Sequence, residues 1–158
     1  MPHPGARKKM EPPARDTGPH RFRMDEWISC APFEKLLHME IVTAAGGRAT
    51  LRMPFLFDFA QGAGLMHGGA LVGLADTAVV MAIKSLVPPD THFATTSLEA
   101  RYLHPVKKGM VTAQAHVRET DGPILKGRAT LYDEQDRAVM QFDSTFKIAR
   151  DSKIRNVT

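Results

Sequence analysis

A single cysteine, Cys30, stands among 158 residues. One thiol closes no intramolecular disulfide and builds no cysteine-based metal site, so a disulfide-stapled secreted scaffold and a cysteine-based zinc module are excluded. A reducing cytoplasm is the expected compartment. The chain has no run of the roughly 20 apolar residues that a spanning helix needs. No apolar stretch of signal-peptide length follows its basic N-terminus. The expectation is a cytoplasmic protein with no membrane partner. A basic excess on the folded part is missing as well. The net charge of +4 is carried by Arg7, Lys8, Lys9, Arg15, Arg21 and Arg23 against Glu11 and Asp16, which leaves residues 24–158 neutral. A nucleic-acid-binding domain carries its basic patch on the folded body, so no nucleic acid is expected as a partner.

What is present suits one domain, since domains most often run to about 100–150 residues. Apolar residues at 43% and charged residues at 24% can supply both a core and a solvated surface. Residues 1–23 hold Pro2, Pro4, Pro12, Pro13 and Pro19 among charges and few large apolar side chains. Such a segment cannot offset the entropy of ordering, and a disordered tail is expected. Contact with an acidic partner and a merely unstructured extension both remain open for it. The folded domain is expected over 24–150, with a short C-terminal tail at 151–158.

Trp27, Ile28, Phe33, Leu36 and Leu37 recur near helical spacing, which predicts a short amphipathic helix or helical hairpin interrupted near Pro32. Met39, Ile41 and Val42 lead to Gly46-Gly47, and Ala49, Leu51 and Met53 then alternate with polar residues, as in a β-hairpin with one wet face. From His67 to about Leu86 the chain is proline-free and apolar on nearly every side, the mark of a buried helix. Val87-Pro88-Pro89 ends it. Strands are predicted near 92–103, 110–120, 124–133 and 137–148, separated by polar turn segments. This order, a hairpin, one buried helix and four antiparallel strands, defines an α+β fold in which a curved antiparallel sheet wraps one long central helix.

His67-Gly68-Gly69 opens that helix, where the first backbone N–H groups lack intrahelical partners and the helix dipole is positive. Glycine admits a ligand close to the main chain. A thioester carbonyl placed there is polarised, and the oxyanion formed on attack is stabilised more than the ground state. A tight loop-to-helix turn is the structural alternative for the two glycines. Asp76 has Val72 and Gly73 one turn back and Val79 and Val80 one turn on, so its carboxylate emerges from an apolar surface. A bond to a backbone group or a buried ion pair could hold it there. Alternatively, desolvation raises its pKa and fits it to take a proton from water or to attack a carbonyl. Gly68 and Asp76 are eight residues apart, about 12 Å along a helix axis. One carbonyl cannot touch both. They serve one reaction centre only if the second group comes from another chain, which a two-fold dimer with antiparallel helices supplies twice.

The run from His67 to Ala78, HGGALVGLADTA, preceded by a Gly-containing loop, resembles the signature of the PaaI-like (phenylacetate-degradation type) hotdog acyl-CoA thioesterases, over about residues 30–150. The resemblance implies a hotdog fold, hydrolysis of acyl-CoA, and a homodimer or a dimer of dimers (homotetramer). It implies Asp76 as nucleophile or general base and Gly68 as the N–H donor to the thioester. It also implies Thr95, reached by counting back from the Tyr-x-x-Pro of Tyr102 to Pro105, as a hydroxyl assisting from across the dimer. Where the family commonly has Asn, this chain has Gln61, which keeps the carboxamide and adds a methylene. A hotdog hydratase or dehydratase and a non-catalytic acyl-CoA-binding protein are the competing readings.

Gly69 and His67 are further candidates at the substrate, although in this resemblance His67 mostly shapes the start of the helix. Phe59, with Phe55 and Phe57, lines an acyl pocket or packs the core beneath its loop. Lys107 and Lys108 meet CoA phosphates or form a solvated turn. His92, His104 and His116 show no metal-ligand spacing, and neither a P-loop nor a Ser-His-Asp motif is present, so neither metal nor cofactor is expected.

Overall fold

The protein is described by a computed structural model over residues 17–150. Gly68–Lys84 forms one uninterrupted helix, α2, and six antiparallel strands curve around it. In chain order these are β1 (Glu40–Ala45), β2 (Arg48–Pro54), β3 (Phe93–Tyr102), β4 (Met110–Asp121), β5 (Ile124–Tyr132) and β6 (Ala138–Ile148). Their order in the sheet is β1-β2-β4-β5-β6-β3. The predicted long helix, the first hairpin and the four later strands are present, and the ends expected for the helix and those four strands shift by at most two residues. Gly46 and Gly47, at φ of 58° and 77°, make the two-residue turn of the first hairpin. Both positions need positive φ there, which glycine alone adopts freely.

The core forms where the apolar side of α2 meets the concave face of the sheet. Leu74, Ala78 and Val79 of α2 and Leu51, Phe142 and Phe146 of the strands are almost wholly buried. Helix and sheet come close at Gly127 of β5, where an added Cβ would overlap the Val79 Cγ1. Val79 is β-branched, stiff at χ1 and surrounded, so it cannot step aside. Gly127→Ala is expected to lower stability by about 1–3 kcal/mol, read as a fall in the urea midpoint at unchanged slope.

The N-terminal segment differs from expectation. Pro32 does not interrupt a helix; it occupies the first turn of a five-residue helix, α1 (Pro32–Leu36), because the missing N–H and fixed φ of proline suit that position. Trp27 lies outside any helix, and its Nε1 donates to the Lys84 carbonyl at 2.9 Å, tying residues 57 apart in sequence. The tail expected over 1–23 lies mostly outside the described residues, as does that at 151–158; residues 17–23, which are described, form no helix or strand.

Strand β3 is an edge of the sheet. Its Thr95, Leu98, Ala100 and Tyr102 pair with Phe146, Ser144, Phe142 and Met140 of β6, all buried, so they share the helix-facing side. Helix α2 covers little of that side. Leu98 and Tyr102 therefore stay 47% and 53% exposed. Opposite them, Val72, Asp76 and Val80 form a half-buried stripe on α2.

Candidate active site

The start of α2 is set by a loop closed on itself and on its neighbours. Gln61 N–H donates to Leu65 O and Gly64 N–H to Gln61 O, both at 2.8 Å, with Gly64 at φ 84° in the turn. His67 N–H donates to Phe59 O at 2.8 Å and Met66 N–H to Val106 O at 3.0 Å. His67 then caps the helix, its Nδ1 accepting the Gly69 N–H at 2.8 Å. The Ala70 and Leu71 N–H groups both go to His67 O. Among the described residues, the Gly68 N–H is the group in this first turn left without an acceptor.

Gly68 is held from the other side by Tyr102, whose hydroxyl donates to the Gly68 carbonyl at 3.0 Å. A Cβ at Gly68 would sit 2.9 Å from the Tyr102 hydroxyl oxygen, so a side chain here pushes the Tyr102 tip away. A cleft of about 390 Å³ opens here, lined by Gln61, Leu65, Gly68, Leu71, Tyr102 and Val106. Gln61 Oε1 accepts the Ala63 N–H, which ties this cleft-lining side chain to its own loop and leaves its amide N–H groups as donors to spare.

Asp76 lies elsewhere. Thr95 of β3 donates its hydroxyl to the carboxylate, 3.0 Å from Oδ1 and 3.3 Å from Oδ2. Burial pushes the Asp76 carboxyl above the ordinary carboxylate range, and the Thr95 hydroxyl, by favouring the ionised form, draws it part of the way back. Within the chain, no backbone group and no cation among the described residues pairs with this carboxylate. The Thr95 hydroxyl, expected from across a dimer, reaches Asp76 within a single chain. The bulge between Thr95 and Ser97 places it there.

One chain thus holds the candidate residues in two separate places: Gly68 and Gln61 in the cleft at the start of α2, and Asp76 with Thr95 two turns further on, about 12 Å along the axis. Of the other candidates, Gly69 spends its N–H on His67, and His67 serves as cap. Phe59 does not line the Gln61 cleft; it packs into the core at 8% exposure. Lys107 and Lys108 are exposed immediately after Val106, at the rim of the cleft. Reading the sequence alone missed the work of Tyr102, Trp27 and Lys84. Only Tyr102 left a signal, in the Tyr-x-x-Pro spacing. Among the described residues no group of His, Cys, Asp and Glu is placed to hold a metal, and no helix is long and apolar enough to cross a membrane.

Known proteins share this fold. A family model described as the thioesterase superfamily matches residues 63–140, from the loop before α2 into β6. ComA2 of Bacillus subtilis (strain 168) is 36% identical over 111 residues, which cover 65% of this chain and 82% of that protein. Among solved structures, the conserved protein PA5202 from Pseudomonas aeruginosa superposes with a TM-score of 0.75 at 25% identity, over 80% of this chain and all of that one (100%). A mutant of the phenylacetic acid degradation protein PaaI from Thermus thermophilus does so with a TM-score of 0.68 at 25% identity, over 74% of this chain and 98% of that one. The chain belongs to the thioesterase superfamily. Within it, this is a PaaI-like hotdog enzyme that hydrolyses thioesters.

Proposed function

We propose that the protein hydrolyses acyl-CoA thioesters at two equivalent sites in a homodimer, each combining Asp76 and Thr95 of one subunit with Gly68 and Gln61 of its partner. The observation that carries this reading is the separation of a desolvated carboxylate from an unpaired helix-terminal N–H on one rigid helix. Neither half completes a reaction alone. The unpaired edge of β3, with its exposed Leu98 and Tyr102, supports a two-fold pairing that joins two sheets edge to edge and lays the helices antiparallel. Asp76 then faces the start of the second helix.

In that geometry the Gly68 N–H donates to the thioester oxygen, more strongly as it becomes an oxyanion. Asp76, made basic by burial, takes a proton from the attacking water, or attacks the carbonyl itself to form an acyl anhydride that water then hydrolyses, and Thr95 keeps the carboxylate aimed. The Gln61 amide orients the water from the cleft wall, and Lys107 and Lys108 at the rim suit the CoA phosphates. The CoA sulfur leaves as the tetrahedral centre collapses and takes up a proton. Purified protein is expected to release free thiol, detected colorimetrically, from at least one of a set of short, long and aryl acyl-CoAs, and to sediment as a dimer or a multiple of one. Absence of thiol release across the whole set would sink the proposal.

A further inference from the structure

A second cleft, of about 240 Å³, lies between the C-terminal half of α2 and the start of β3, lined by Trp27, Val80, Lys84, His92, Thr95 and Phe146. Thr95 joins it to the proposed centre, because the residue that holds Asp76 is also part of its wall. Val80 and Lys84 follow Asp76 by one and two turns of the same helix face. With a thioester carbonyl beside Asp76, this cleft is where the acyl group leads. The inference rests on the acyl-CoA reading above.

The wall near Asp76 is apolar, from Val80 and Phe146, and the far end is not. There Lys84 Nζ donates to the Trp27 carbonyl at 3.0 Å and lies 4.7 Å from the centroid of the Trp27 ring, while Trp27 Nε1 donates back to Lys84 O at 2.9 Å. These reciprocal contacts fix the ammonium in position. Of its three N–H groups one goes to the Trp27 carbonyl. No carboxylate among the described residues lies within 4.0 Å of it. Burial pushes the Lys84 ammonium below the ordinary lysine range, and the more distant Glu34 carboxylate offsets only part of this, the response of a cation short of compensation. A fixed cation with donors to spare, at the end of an apolar cleft, matches an acyl chain that is apolar along its length and anionic at its tip.

We propose that Lys84 selects acyl-CoA thioesters whose acyl group ends in a carboxylate, the mono-CoA esters of dicarboxylic acids. Asp76 and Lys84 are about 12 Å apart along the helix axis, and the lysine leans back toward the helix N-terminus. At about 1.2 Å per bond of extended chain, dicarboxylic acids of roughly six to eight carbons span the interval.

Adipyl-CoA and hexanoyl-CoA have acyl chains of equal length and differ in the terminal carboxylate. Wild-type protein is expected to show a kcat/KM for thiol release at least about tenfold higher for adipyl-CoA, with Lys84→Arg retaining the preference and Lys84→Met inverting it. Equal kcat/KM values for the two in wild-type protein overturn the proposal, as does a preference that survives Lys84→Met in protein with an unchanged circular dichroism spectrum. Calorimetric titration of Asp76→Asn with the same pair reads selection without turnover. Tighter adipyl-CoA binding there supports the Lys84 assignment even where hydrolysis fails, and equal affinities overturn it. An acyl-CoA reading that fails leaves thiol release at zero for every ester, a result distinct from loss of the preference.

Discussion

Asp76→Asn is expected to lower kcat for thiol release by about 10²–10⁴ and, at neutral pH, to raise the thermal midpoint. The two effects share a cause. Burial holds the folded-state pKa of Asp76 above its unfolded value, so the folded chain binds the extra proton and stability falls as pH rises above the unfolded pKa. The amide carries no charge to desolvate, and its gain of about 1 kcal/mol should vanish in acid, below the unfolded pKa, where Asp76 is protonated in both states. The acidic limb of kcat/KM against pH should likewise sit above the ordinary carboxylate range, since the carboxylate must be ionised to act. Melting curves and rate profiles across pH test both halves. Unchanged turnover in Asp76→Asn removes this side chain from the chemistry, whatever happens to stability.

Gly68→Val is expected to be inactive alone, because its Cβ would press against the Tyr102 hydroxyl and ring, at 2.9 and 3.1 Å, and crowd the N–H that meets the thioester. Mixed with Asp76→Asn it should not stay inactive. In a heterodimer of the two variants one composite site carries both lesions and the other carries neither. Each heterodimer should then recover about half of the wild-type turnover. Co-expression with two different affinity tags isolates the heterodimer. If the isolated heterodimer hydrolyses nothing, the half-sites are not shared between chains.

Much of this was legible in the sequence because a few residues break local rules. Asp76 stands out as a charge amid Val72, Val79 and Val80, and the glycines after His67 stand out at a helix start. The strands showed in alternations such as Val111, Ala113 and Ala115, which the structure buries. Periodicity cannot reveal which chain supplies Thr95, since a bulge at Thr95/Ser97 sets where that hydroxyl points. Nor could it separate Phe59 from Phe57. The two sit two residues apart in one turn of 3-10 helix, which buries Phe59 and leaves Phe57 92% exposed. Lys84 left no mark and Trp27 showed only as an apolar residue at helical spacing, because contacts across 57 residues follow from how α2 and the N-terminal segment pack and not from spacing.

That contact also fixes how far the chain can be trimmed. Cuts ahead of Trp27 leave the Lys84 amine and carbonyl both occupied, whereas a cut just beyond the indole frees each and strips a wall from the cleft. The part of the polypeptide that shapes the cleft therefore begins well upstream of the first strand, at a residue that a boundary drawn from the family match alone would discard.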